Sequence, residues 1–78
     1  MDEPFKIIIA SPPEYEELVA EIYIQGKYVA LLSRERGDRE LDIEFDLSSL
    51  EKGKKIDFDL FNRALEVARQ RLLGEASV

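Results

Sequence analysis

The chain has 78 residues, a formal net charge of -6 and an apolar content of 45%. This length allows one domain with one core and leaves no room for a second domain or a deep substrate cavity. The acidic balance disfavours nucleic acid and anionic membranes as partners, because both would be repelled, and it favours a basic protein partner.

The composition also excludes two kinds of chemistry, because the chain contains no cysteine and no histidine. Without cysteine there is no disulfide or thiolate chemistry, which fits a reducing cytosol. Without histidine, the usual neutral-pH base and the commonest zinc ligand are missing. The first residues do not resemble a signal peptide, and no apolar run approaches the roughly 20 residues that span a bilayer. We therefore expect a cytoplasmic protein that is not an enzyme and holds no cofactor or metal.

The first third of the chain predicts one clear strand and one ambiguous segment. Residues 5–10 are β-branched and bounded by prolines, which suits an edge strand. Residues 11–24 allow two interpretations. The favoured one is a single turn around 12–16 followed by a strand over 17–24. The alternative is a helix, because the segment contains capping-box spacing and an apolar stripe at helical intervals.

A two-residue hairpin turn is predicted at Gln25-Gly26, leading into a strand over 27–33. The turn length sets an expected register: Ile24 faces Lys27, Tyr23 faces Tyr28, Ile22 faces Val29, Ala20 faces Leu31 and Val19 faces Leu32. One face of this hairpin is then core, formed by Leu18, Ala20, Ile22, Ile24, Val29 and Leu31. The opposite face carries Val19, Glu21, Tyr23, Tyr28, Ala30 and Leu32.

The most distinctive segment, residues 40–47, follows a charged turn over 34–39 and alternates acidic with apolar residues. A period of two predicts a strand with an apolar face and an acidic face, on which carboxylates recur roughly 7 Å apart. The carboxylates are those of Glu40, Asp42, Glu44 and Asp46. Such a row attracts a basic partner or a cation. The alternative interpretation is a solvated strand face that protects a sheet edge from aggregation.

The last third of the chain predicts a polar loop over 48–55 and one helix over 58–73, with Asp57 as N-cap and Gly74 as a natural stop. The expected buried stripe is Phe58, Phe61, Ala64, Leu65, Ala68 and Leu72. Packing this stripe on the apolar face of the sheet gives an α+β fold. It is a single domain, a four-stranded antiparallel meander with the C-terminal helix on one face.

The sheet face opposite the helix is the expected partner-binding surface. Its proposed contact residues are Glu21, Tyr23, Tyr28, Glu40, Asp42, Glu44 and Asp46. Tyrosine is enriched in interface cores, and carboxylates would steer a basic protein towards it. General acid–base catalysis is disfavoured, because carboxylates on an open surface have nothing to separate their pKa values. The alternative function is a small homo-oligomeric assembly module that uses Val19, Ala30 and Leu32 on this face, so the expected state is a monomer or a homodimer.

A family resemblance lies in three segments: 7–13 (IIIASPP), 18–24 (LVAEIYI) and 27–33 (KYVALLS). They resemble small bacterial immunity proteins encoded beside polymorphic toxins, including those of contact-dependent growth inhibition systems. In layout the similarity extends over roughly residues 5–73. The resemblance implies a protein without enzymatic activity that neutralises a toxin domain, often a nuclease. It implies no particular site residues, because the contacts of immunity proteins vary between pairs.

Overall fold

The computed structural model describes residues 4–37, 39–46 and 55–76, which form one sheet and one helix. The strands are β1 (Phe5–Ala10), β2 (Val19–Ile24), β3 (Lys27–Ser33) and β4 (Asp42–Phe45), in the spatial order β1-β2-β3-β4. Consecutive strands pair antiparallel, so β1 and β4 are the edges. The helix α1 (Phe58–Ala76) packs mainly on β1 and β2. The predicted α+β meander with a C-terminal helix is confirmed.

The segment between β1 and β2 contains a turn and no helix. The Tyr15 N–H donates to the Pro12 carbonyl at 3.2 Å, and β2 begins at Val19. The favoured interpretation is therefore confirmed, although the strand begins two residues later than predicted, and the helical alternative is wrong. Two adjacent prolines remove backbone donors here, and the β-branched residues that follow satisfy their backbone groups in the sheet.

Gln25 and Gly26 form the predicted hairpin turn, with φ values of 51° and 82°. Positive φ at both central positions is the type I′ geometry, whose twist matches that of the flanking strands. The first two predicted pairs are also correct, since Ile24 lies opposite Lys27 and the two tyrosines of the hairpin lie opposite each other.

Beyond the tyrosine pair the predicted register is wrong by one residue, because the pairing contains a β-bulge. Val29 is the extra residue on β3, opposite the step from Ile22 to Tyr23 on β2. The observed pairs past the bulge are Ile22 with Ala30, Glu21 with Leu31, Ala20 with Leu32 and Val19 with Ser33. An extra residue reverses the direction of every later side chain on its strand. Ala30 and Leu32 therefore belong to the core cluster under the helix, whereas Leu31 faces away from it.

The β4 strand is shorter than the predicted 40–47. Residues 40 and 41 precede it, and Asp46 follows it with an N–H that donates to the Val29 carbonyl at 2.9 Å. The predicted alternation is correct, because the Phe45 ring lies 6.2 Å from the Phe61 ring of the helix. Before β4, the Gly37 N–H donates to the Arg34 carbonyl in the predicted charged turn. Asp38, Leu47 and residues 48–54 of the predicted polar loop lie outside the described residues.

The helix begins as predicted, with Asp57 as its N-cap. The Leu60 N–H donates to Asp57 Oδ2 at 2.9 Å, which satisfies one of the unpaired donors of the first turn. Ala64, Ala68 and Leu72 are fully buried against the sheet. No helix in the described part of the chain combines the length and apolar character needed to cross a bilayer.

Two details of the helix prediction are wrong. Phe58 is 75% exposed, because it lies in the first turn while the helix packs mainly further along, on β1 and β2. Gly74 does not end the helix, which continues to Ala76. Glycine weakens a helix by only about 1 kcal/mol, and Gly74 does not take the positive φ of a helix stop.

Candidate functional site

The side of the sheet that faces away from α1, called here the outer face, carries the predicted partner-binding residues of the strands. The pairing register arranges its side chains in rows across the sheet. The row nearest the hairpin turn contains Lys6, Tyr23 and Tyr28. The middle row contains Ile8, Glu21, Leu31 and Glu44. The row at the opposite end contains Ala10, Val19, Ser33 and Asp42.

Five of the seven predicted contact residues meet towards the hairpin-turn end of the outer face, and we call this group the tyrosine patch: Glu21, Tyr23, Tyr28, Glu44 and Asp46. The rings of Tyr23 and Tyr28 have centroids 5.6 Å apart and are tilted by 54°. Offset or tilted geometry is favourable for aromatic pairs. The Tyr23 hydroxyl donates to Glu21 Oε1 at 3.3 Å, so this carboxylate is held beside the ring pair.

Negative charge is concentrated around Tyr28. Burial raises the pKa of the Tyr28 hydroxyl most, and the charges of Glu21, Glu44 and Asp46 raise this pKa further. The pKa of Tyr23 is raised for the same reasons, first by burial and then by the charge and hydrogen bond of Glu21. Burial and the nearby negative charges disfavour the phenolate form, so both tyrosines keep a neutral hydroxyl that can donate a hydrogen bond. The same negative charges attract a positively charged group to the patch.

Tyr15 borders the tyrosine patch and was not among the predicted contact residues. Its hydroxyl donates a hydrogen bond to Glu44 Oε2. This hydrogen bond, followed by burial and by the charge of Glu44, raises the pKa of Tyr15 to about 12. Since Tyr15 lies between β1 and β2, the contact with β4 shows that this connection crosses the outer face. The strand pattern contains no signal for it, because the path of a connection is set by long-range contacts.

The connection over residues 11–18 is anchored at the end of the outer face that lies away from the hairpin turn. The Glu35 carboxylate accepts the Glu16 N–H at 2.6 Å and the Glu17 N–H at 3.2 Å. At the same end, Val19 and Ser33 are 0% and 7% exposed although they point away from α1. A partner can therefore approach the outer face mainly from the hairpin-turn end, where the tyrosine patch lies.

Glu40 and Asp42, the remaining two predicted residues, are separated from the patch and share one cation. The Arg36 guanidinium donates to both oxygens of Asp42, at 2.9 and 2.6 Å, and to Glu40 Oε2 at 3.0 Å. Arg36 holds the pKa of Asp42 below its usual value, mainly through the hydrogen bonds. The structure thus divides the predicted acidic row into two parts, and Arg36 partly neutralises the part formed by Glu40 and Asp42.

The apolar residues that suggested self-association through the outer face do not lie exposed there. Val19 is fully buried, and Ala30 and Leu32 lie under the helix. Among the residues that the structure describes, the large exposed apolar side chains are Ile43 and Phe45 on β4 and Phe58 at the start of the helix. Val19, Ala30 and Leu32 therefore do not supply the exposed apolar surface on which the homo-oligomeric alternative was argued.

In the described part of the chain, no group of three or more potential ligands is arranged to hold a metal ion. No protein-family model, curated protein or solved structure matches the chain. The tyrosine patch, with its ring pair and three carboxylates on an accessible sheet face, is the feature on which a function can be argued.

Proposed function

We propose that this chain is a non-catalytic binding protein that neutralises a basic protein domain by covering it with the tyrosine patch. The observation that carries the proposal is the packing of Tyr23 and Tyr28 among three carboxylates on a sheet face that the helix leaves open. Tyrosine supplies contact area at a low entropy cost, and its hydroxyl can donate to a partner.

The two residue types of the patch have different roles in this proposal. Carboxylates attract a cationic surface over distances of up to a Debye length, so they raise the association rate and make it sensitive to salt. Exposed ion pairs contribute only about 0–1 kcal/mol each. Tight binding therefore depends on the rings of Tyr23 and Tyr28, which become buried and act as anchors that slow dissociation.

The basic partner that we propose is a bacterial toxin domain. Support comes from the resemblance of the first three strands to immunity proteins encoded beside polymorphic toxins. A nuclease toxin holds a cationic cleft for phosphates, and an acidic surface can occupy or cover such a cleft. In this proposal the protein acts in the cytoplasm and has no catalytic role.

The test uses the C-terminal domain of the protein encoded next to this chain as the probe, with calorimetry as the readout. The patch variant is the double substitution Glu21→Gln with Glu44→Gln, in which the amide that replaces the Glu44 carboxylate keeps an acceptor for the Tyr15 hydroxyl. The matched control is Asp59→Asn with Gln70→Lys, which changes the net charge by the same two units on the exposed side of the helix, away from the sheet. We expect wild type and control to bind alike, and the patch variant to lose about tenfold or more in affinity.

Two results would overturn the proposal. One is the absence of any complex with this domain at low ionic strength, where charge attraction is strongest. The other is an equal loss of affinity in the patch and control variants, which would show that net charge acts without a defined surface.

A further inference from the structure

The two edges of the sheet differ in how they are protected. At β1, the helix residue Arg71 donates to the Ile7 carbonyl at 2.7 Å, and Pro4 precedes the strand without a backbone donor. At β4, no described strand pairs with the side that faces away from β3. An unprotected edge presents unpaired backbone groups to any extended chain. The β4 edge is therefore the better candidate for strand addition.

The direction of the β4 backbone identifies the groups that are presented. The Asp46 N–H donates to the Val29 carbonyl of β3. Backbone groups alternate in direction along a strand, so those of Ile43 and Phe45 point away from β3. These two residues supply donors and acceptors for a fifth strand at the edge.

A groove lies beside this edge, between β4 and the helix. It has a volume of about 410 Å³, and its lining combines the apolar Leu41, Ile43 and Leu65 with the polar Asn62, Glu66 and Arg69 at its helix side. Ile43 and Phe45 are 43% and 46% exposed, which is high for large apolar side chains of a strand. The groove exists because α1 packs mainly on β1 and β2 and leaves the β4 side of the sheet partly uncovered.

We propose that the β4 edge takes up an extended segment of the basic partner as a fifth strand, and that this segment alternates basic with apolar residues. On an added strand, alternate side chains point to opposite faces. Those on the helix side meet Ile43, Phe45 and the groove, and those on the outer side meet the Glu44 carboxylate. The inference rests on the proposed function and specifies how the basic partner is held.

The negative charge of β4 disfavours a second copy of this chain as the strand that pairs with this edge. In a two-fold antiparallel pairing of β4 with itself, residues directly opposite each other point to the same face. Glu44 of one copy would then face a carboxylate of the other copy, which is destabilising. A basic segment reverses the sign of this interaction while making the same backbone hydrogen bonds.

The experiment measures amide hydrogen exchange of Ile43 and Phe45 by NMR, with a short peptide of alternating lysine and valine as the probe. In the protein alone these two amides should exchange fast, and millimolar peptide should slow them at least severalfold. A glutamate-valine peptide of equal length is the charge control. The lysine-valine peptide with methylated backbone nitrogens is the control for strand addition. Neither control should give protection.

Three results would overturn the inference. Slow exchange of both amides in the protein alone, independent of concentration, shows that the edge is already covered within the chain. Slow exchange that appears only at high protein concentration shows that a second copy is the occupant. Unchanged exchange at millimolar lysine-valine peptide shows that the edge does not accept the proposed strand. The calorimetric comparison of patch and control variants tests the proposed function, and the exchange experiment tests strand addition at β4. A failure of one can therefore be told apart from a failure of the other.

Discussion

The Tyr15 hydroxyl donates to the Glu44 carboxylate, which joins the connection between β1 and β2 to the far edge strand. This contact ties an eight-residue connection, 11–18, to the outer face of the sheet. One end of that face is thereby closed, and the other end keeps the tyrosine patch accessible. The geometry of the proposed binding surface therefore depends on a residue outside the strands.

The first prediction concerns the titration of Tyr15. Its phenol should titrate near pH 12, and Glu44→Gln should lower this pKa, because the negative charge beside the hydroxyl is removed. The folded-state pKa is raised above the ordinary value of 10.0. Stability from this contact is therefore fully present below pH 10 and is lost as the pH rises towards 12. NMR signals of the Tyr15 ring, followed against pH in both proteins, measure the shift.

The second prediction concerns the Arg36–Asp42 pair. Arg36→Gln should raise the pKa of Asp42, because the guanidinium that stabilises the carboxylate is removed. In the wild type this pKa is lowered, so the contribution of the pair is present above the ordinary value of 3.8 and is lost as the pH falls through the folded-state pKa. The carboxyl carbon shift of Asp42 in the two proteins provides the measurement, and an unchanged pKa would contradict the observed contact.

The third prediction compares how much stability is lost on substituting a buried residue near the end of the helix and an exposed residue at its start. Leu72 is 0% exposed and Phe58 is 75% exposed. Leu72→Ala should lower the free energy of unfolding by about 2–5 kcal/mol, and the milder Leu72→Met by less than about 1.5 kcal/mol. Phe58→Ala should change it by no more than about 0.5 kcal/mol. Urea denaturation measures all three, and a larger loss for Phe58→Ala than for Leu72→Met would show that the helix packs differently.

The fourth prediction concerns the hairpin turn. Gln25→Asn should stabilise the protein by a few tenths of a kcal/mol, because asparagine tolerates the positive φ of this position better than glutamine. Gly26→Ala should destabilise it by about 1–2 kcal/mol, because a side chain is strained at a φ of 82°. Thermal unfolding of the two variants gives opposite changes in Tm if the turn is type I′.

The arrangement of elements could be predicted from the sequence because several local signals agree. Alternation indicated the strands, Gln25-Gly26 indicated the hairpin, and Asp57 indicated the start of the helix. The bulge at Val29 could not be predicted, because residues 29–32 are all apolar and fit either face equally well. The pattern therefore left Leu31 and Leu32 on the wrong sides of the sheet.

The candidate site was only partly predictable for a related reason. The pairing of Tyr23 with Tyr28 follows from the turn length, and it places both rings beside Glu21. The contact of Arg36 with Asp42 and the path of Tyr15 depend on how the connections fold back on the sheet. No period in the sequence encodes these contacts, so the seven predicted residues were not divided into the patch and the Arg36 pair.

The most direct test of the central claim is to map, by NMR cross-saturation, the surface of this chain that contacts the toxin domain used as the calorimetric probe. We expect signals of Tyr23 and Tyr28 to lose intensity on saturation of the partner, while those of Arg63 and Gln70 on the exposed side of the helix do not. An interface centred on the helix, with both tyrosines unaffected, would contradict the proposed function.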